Sequence, residues 1–204
     1  MVIKMNIWNV NFDVEKYMWC VFKVTEDIDL MKFSSLVRHD KILPETLPEN
    51  IIFCNKDDEN DNPIADMMMG SGAYAGIISD KAKKMLESEY KDLFLFYPVC
   101  LENFPEEKYY ILHPTEFVYA EDVLDMKNTY IDYVRNDRKT CILYKVRRYT
   151  FTNKIKGHHF FRIIFNHGKN KIFNWKYCDD EFKEFIEKNN ITGLKFTKIF
   201  EFKD

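Results

Sequence analysis

Apolar positions along this chain change their spacing several times, and each change predicts an element. Tyr17-Met-Trp-Cys-Val-Phe-Lys-Val24 is almost continuously apolar and rich in aromatic and β-branched residues, the pattern of a strand buried on both faces. Leu30, Phe33, Leu36 and Val37 sit at helical spacing and predict a short helix ended before Pro44. Pro44, Pro48 and the polar run Asn55 to Pro63 then predict an extended surface connection. The clearest helix begins at Ser79-Asp80. Ala82, Met85 and Leu86 form its apolar stripe, Ser79 is a natural N-cap, and Asp80 suits the positive end of the helix dipole.

Strand patterns dominate the second half. Leu93 to Leu101 and Tyr109 to Leu112 predict a hairpin with its turn around Asn103-Phe-Pro-Glu-Glu107. Between Tyr119 and Val134 the period is mixed: Val123, Met126, Tyr130 and Val134 recur at helical spacing, while Asn128-Thr129 argues against a continuous helix. Cys141 to Val146, His159 to Phe165 and Lys171 to Trp175 predict three strands. Asp179 or Asp180 then caps a last helix carrying Phe182, Phe185 and Ile186, which stops near Asn189-Asn190. A final strand runs from Leu194 to Phe202. Grouped strands with few helices, and no βαβ rhythm, predict an α+β fold: a mixed or largely antiparallel sheet flanked by a few helices. The expected organisation is one domain over residues 1–204, with 1–75 as a candidate subsidiary lobe.

Composition narrows the class. Hydrophobic residues make up 46% and aromatics 16% of 204 residues, too apolar for a disordered chain. The longest uncharged run, Met67 to Ser79, is too short to cross a bilayer. The first ten residues lack the apolar core of a signal peptide, so the expected location is the cytoplasm. Cys20, Cys54, Cys100, Cys141 and Cys178 are widely spaced and odd in number, which fits reduced structural thiols.

Charge is segregated. Residues 1–137 carry 26 acidic and 14 basic side chains, whereas 138–176 carry 11 basic ones and no Asp or Glu. Lys and Arg there alternate with Tyr144, Tyr149, Phe151, Phe160, Phe161, Phe165, Phe173 and Trp175, a composition that nucleic-acid binders use for phosphate contact and base stacking. Neutralisation within the fold, or docking of an acidic protein partner, is the preferred account of it, with nucleic-acid binding as the alternative.

The chemical motifs are incomplete. Gly70-Ser-Gly72-Ala-Tyr-Ala-Gly76 departs from a dinucleotide fingerprint in its last glycine, and it lacks the Gly-Lys-Ser/Thr of a phosphate loop. His158 and His159 would point to opposite faces of a strand, and no carboxylate occurs nearby in sequence to orient either ring. Asp57, Asp58, Glu59 and Asp61 lack the glycine and distal Glu of a calcium loop. Glu121, Asp122 and Asp125 could share one side of a helix, as a metal-dependent hydrolase would require, but no companion base accompanies them. Solvated surface is the simpler reading of both acidic groups. No catalytic residue, cofactor or metal ligand is assigned.

Four passages carry a resemblance. Ile77-Ile-Ser79 with the helix to Leu86, Phe96-Tyr-Pro98-Val99 with Tyr109-Tyr-Ile-Leu112, Ile155-Lys-Gly157-His158-His-Phe-Phe161-Arg162, and Ile191-Thr-Gly193-Leu194-Lys-Phe196 follow in order. Over about residues 77–200 the chain resembles immunity protein family eleven of bacterial polymorphic toxin systems. The resemblance implies a cytosolic, non-enzymatic inhibitor whose partner is a toxin domain, with no membrane or nucleic-acid partner. Such a protein needs a stable scaffold and a complementary surface. Two surfaces qualify as the contact: the acidic segment with Asp57, Asp58, Glu59 and Asp61 for a basic toxin, preferred because loops on rigid scaffolds commonly carry recognition, and the basic stretch 138–176 for an acidic one.

Overall fold

The Ser79 cap forms as the sequence predicts. In the computed structural model, the Ser79 hydroxyl accepts the Ala82 N–H at 3.3 Å and opens helix α1, Asp80–Glu89. Asp80 pairs with Lys84 one turn on at 2.6 Å, and Ala82 and Leu86 are buried beneath. The Tyr90 N–H closes the helix on the Leu86 carbonyl at 2.7 Å. The structure describes residues 5–22, 52–55, 62–71, 75–135, 141–167 and 170–202. The helix expected around Leu30 to Val37 lies outside them.

In chain order the strands are β1 (Asn6–Phe12), β2 (Cys20–Phe22), β3 (Ile52–Asn55), β4 (Met67–Ser71), β5 (Ala75–Ser79), β6 (Phe94–Leu101), β7 (Tyr109–Pro114), β8 (Phe117–Tyr119), β9 (Tyr130–Arg135), β10 (Cys141–Arg148), β11 (Phe160–His167), β12 (Asn170–Cys178) and β13 (Leu194–Glu201). Helix α2 is Ala120–Val123 and α3 is Asp180–Lys188. The fold is α+β with mixed sheets. It forms two compact units. One comprises Met1–Val10, Glu116–Phe185 and Phe196–Asp204; the other comprises Asn11–Thr115 and Ile186–Lys195.

The second of these is a closed barrel in the order β2-β3-β6-β7-β5-β4. The expected hairpin is there, with Phe96 opposite Leu112 and Tyr97 opposite Ile111. The strands on either side of the glycine-rich segment, β4 and β5, pair antiparallel, Met68 with Ile77 and Gly70 with Ala75. Met68, Ile77, Ile111 and Tyr97 thereby stand side by side across four strands and belong to one buried cluster with Cys20, Ala65, Leu101 and Tyr109. A closed barrel leaves no strand edge to pair with another chain. The strand expected from Tyr17 starts only at Cys20, because the Tyr17 N–H bonds the Asp13 carbonyl in a tight turn at 3.0 Å. The returning segment Ile191 to Lys195 is bound into this unit: Met67 N–H donates to the Thr192 carbonyl at 3.0 Å, and Asp13 N–H to the Gly193 carbonyl at 2.9 Å. Gly193 has φ +99°, and a Cβ there would lie 1.8 Å from the Met67 carbonyl oxygen. Only glycine fits so close an approach.

The other unit is an open five-stranded sheet in the order β13-β1-β12-β11-β8, with the ribbon β9–β10. β12 pairs antiparallel with β1 and β11, whereas β8 runs parallel to β11. Ile7, Val118, Phe161, Ile163, Phe165 and Tyr177 form the centre of its core. On the opposite sheet face Phe160 meets Phe182 of α3, their ring centres 4.8 Å apart. Of the two aspartates expected to cap that helix, Asp179 does so, accepting the Phe182 N–H at 2.9 Å. The helical spacing through Tyr130 ends early. The Asp125 carboxylate takes the Lys127 and Asn128 N–H groups at 3.0 and 3.3 Å, which turns the chain, and Tyr130 begins a strand.

Candidate functional site

The acidic contact expected at Asp57, Asp58, Glu59 and Asp61 lies outside the described residues. Glu121, Asp122 and Asp125 do not gather into a site. Glu121 and Asp122 are exposed on the short helix α2, the former accepting the Asn166 amide at 3.5 Å, while Asp125 is occupied by its own turn.

The histidines differ from expectation. His158 and His159 precede strand β11 and have different partners, and each ring is held by a carboxylate. His158 Nδ1 lies 2.7 Å from Glu116 Oε1, 42 residues away in sequence, and His159 Nδ1 lies 2.8 Å from Asp179 Oδ2. Glu181 Oε2 adds a second carboxylate 3.5 Å from His159 Nδ1. Local sequence holds no sign of these partners, because the fold brings them from the residue before β8 and from the cap and first turn of α3. Within 4.8 Å of one another, His159, Asp179 and Glu181 present one nitrogen and two oxygen donors, a set suited to a divalent transition cation. The same atoms have a structural task. Asp179 Oδ1 caps α3, while burial pushes its carboxyl above the usual range against the lowering effects of the Phe182 N–H and His159.

The basic, aromatic stretch divides between interior and surface. Phe151, Phe160, Phe161 and Phe165 are core residues rather than stacking platforms. Tyr149 and Tyr177 share a hydrogen bond between their hydroxyls at 2.5 Å, with Tyr177 fully buried. Arg162 and Lys176 are paired across β11 and β12. Burial pushes the Arg162 guanidinium down to about 10 and, with Arg162 beside it, the Lys176 ammonium down to about 8. Lys145, Arg147 and Arg148 on β10 are exposed, and Tyr130, opposite Arg148, is 58% exposed.

In the barrel unit Asp66 ties three segments together. One oxygen accepts the Ser79 hydroxyl at 3.1 Å; the other accepts Lys81 Nζ at 3.0 Å and the Thr192 N–H and hydroxyl, both at 3.1 Å. Burial raises its pKa, but the Thr192 and Lys81 bonds outweigh that and hold the carboxyl below its ordinary range. Asp66 lines an open cleft of about 590 Å³ with Asp80, Glu106, Lys108, Tyr109 and Thr192. With its oxygens already satisfied, Asp66 acts there as a structural clamp.

A family model described as Immunity protein family (Imm11) matches residues 3–201. The chain belongs to this family. Comparison with curated proteins finds no match. The Imm11 match reaches well beyond the resemblance over 77–200 and takes in the N-terminal residues as well. The four passages behind that resemblance coincide with β5–α1, the β6–β7 hairpin, the entry to β11, and the turn from α3 to β13. Gly193, in the last of them, is where steric contact forbids any side chain. Among the described residues no helix is long and apolar enough to cross a membrane.

Proposed function

We propose that this Imm11 protein is a cytoplasmic inhibitor that binds the toxin domain of a bacterial polymorphic toxin system and neutralises it by steric occlusion, without catalysis. Membership of an immunity protein family over residues 3–201 carries the reading. The architecture supports it: a closed barrel and an open sheet with well-filled cores give rigid surfaces, and rigid partners lose less entropy on binding. The burial of Phe151, Phe160, Phe161 and Phe165 weighs against the nucleic-acid alternative, since these rings serve the core. On charge, the acidic segment with Asp57, Asp58, Glu59 and Asp61 suits a basic patch on the toxin.

The test is co-expression with the toxin domain encoded by the neighbouring gene, together with calorimetry on the purified pair. Protection of cells and a one-to-one complex are expected. A protein that neither binds that domain nor rescues growth would refute the proposal. Replacing the four acids by their amides tests the acidic contact separately.

A further inference from the structure

We infer that the outward face of the β9–β10 ribbon is a docking surface for an acidic patch on the toxin domain; this rests on the immunity reading and adds a contact surface to it. Among the described residues β9 and β10 pair with one another and with no further strand. Ile131 and Val146, a directly opposed pair, pack against the buried core of their unit. Neighbours in a strand face opposite ways, so the flanking pairs Tyr130–Arg148 and Asp132–Lys145 face outward. A register shift between Val146 and Arg148 places Arg147 in the bulge, where it forms an ion pair with Asp132. Among the described residues the outward face thus carries Tyr130, Lys145, Arg147 and Arg148 together with Asp132, which Arg147 already engages.

The base of the ribbon is fixed before any partner arrives. Arg148 Nε donates to the Asn128 carbonyl at 3.2 Å, the Thr150 hydroxyl to the same carbonyl at 3.0 Å, and Asp125 N–H to the Thr150 carbonyl at 2.8 Å. Tyr130 and the arginines therefore stand on a pinned turn, which reduces the ordering cost of binding. Tyr and Arg are the residue types that anchor protein interfaces. Among the described residues the cations Lys145, Arg147 and Arg148 outnumber the engaged Asp132, which selects a partner surface of opposite sign, and such complementarity speeds encounter.

The experiment uses the full chain and an inactivated form of the toxin domain encoded beside it. Lys145→Glu with Arg148→Glu, both exposed, is expected to raise Kd by about tenfold or more, flatten its salt dependence, and weaken growth protection while the chain stays folded by circular dichroism. Tyr130→Ala is expected to raise Kd by roughly five- to thirtyfold at constant salt dependence. Should the charge reversal disturb folding, Lys145→Gln with Arg148→Gln and Tyr130→Ala decide the matter. If the wild type protects and all these variants bind and protect equally well, the docking surface is wrong while the immunity reading stands. If the wild type neither binds nor protects, both fail. If the wild type shifts a labelled single-stranded RNA, the reversal abolishes that shift, and toxin affinity is unchanged, the face belongs to nucleic acid and the inference is overturned.

Discussion

The two units bury an aspartate on opposite terms. Asp66, in the barrel unit, receives Lys81 and two groups of Thr192, and its carboxyl is held below the ordinary range. Asp179, in the open-sheet unit, receives a helix N–H and His159 but stands beside Glu181, and burial pushes its carboxyl up. The sheet unit also holds the depressed pair Arg162 and Lys176. Partner supply, rather than burial alone, decides whether a charge stabilises its surroundings. The barrel has closed its strand edges and satisfied its clamp. Among the described residues the open-sheet unit has a ribbon that pairs with no further strand, and cations whose charge burial disfavours, so its electrostatics are the more sensitive to substitution.

Substitutions would break or sharpen that contrast. The largest effect is expected at Gly193→Ala, which drives a Cβ to 1.8 Å from the Met67 carbonyl at φ +99°. A loss of about 3 kcal/mol or more is expected in urea unfolding, and a silent mutation would mean that the barrel clamp is loose. Asp66→Asn should cost about 2 kcal/mol at pH 7, because it removes a charged acceptor with four donors. The wild-type contribution is complete above pH 4 and fades as pH falls through the lowered folded-state pKa. Denaturation followed from pH 7 to pH 3 should therefore steepen for the wild type and flatten for the variant.

Lys176→Met works the other way: burial and the neighbouring Arg162 disfavour the lysine's charge, so the variant is expected to gain relative to the wild type at pH 7. The folded-state pKa of about 8 lies below the unfolded value of about 10.5, so the wild type gains stability as pH rises between them. The advantage of the variant should shrink over that window, and an equal advantage at pH 7 and pH 10 would contradict the assignment. The smallest effects belong to Asp179. Removing the cap by Asp179→Ala should cost about 1 kcal/mol, whereas Asp179→Asn keeps an acceptor for Phe182 and should be nearly neutral at pH 7. Because the raised pKa of Asp179 favours its protonated form in the fold, the wild-type contribution declines as pH rises above 4. Thermal unfolding at pH 4 and pH 7 checks the sign.

Local elements were legible where a short pattern and a terminator coincide. Ser79 before the Ala82–Leu86 stripe and Asp179 before Phe182 announced their helices, and both side chains accept the N–H that their position predicts. The β6–β7 hairpin was equally plain from two apolar runs around one turn. Tyr130 was not, because helical and strand spacing overlap there until Asp125 turns the chain. Neither histidine clamp was legible. Glu116 and Asp179 lie 42 and 20 residues from their partners, and no local signal marks a carboxylate that arrives by sheet pairing.

The sequence by itself determined the α+β class, the capped helices, the hairpins, the segregation of charge, and the family resemblance, since each is written in neighbouring residues. Tertiary structure alone decided that β2 and β3 close a barrel by parallel pairing with β4 and β6, and that β8 joins β11 in parallel. It also decided which cations of the basic stretch are half-buried in the sheet and which face outward on the ribbon. The physical reason is range: propensity and capping act over a few residues, whereas register, closure and desolvation depend on what the rest of the chain places alongside.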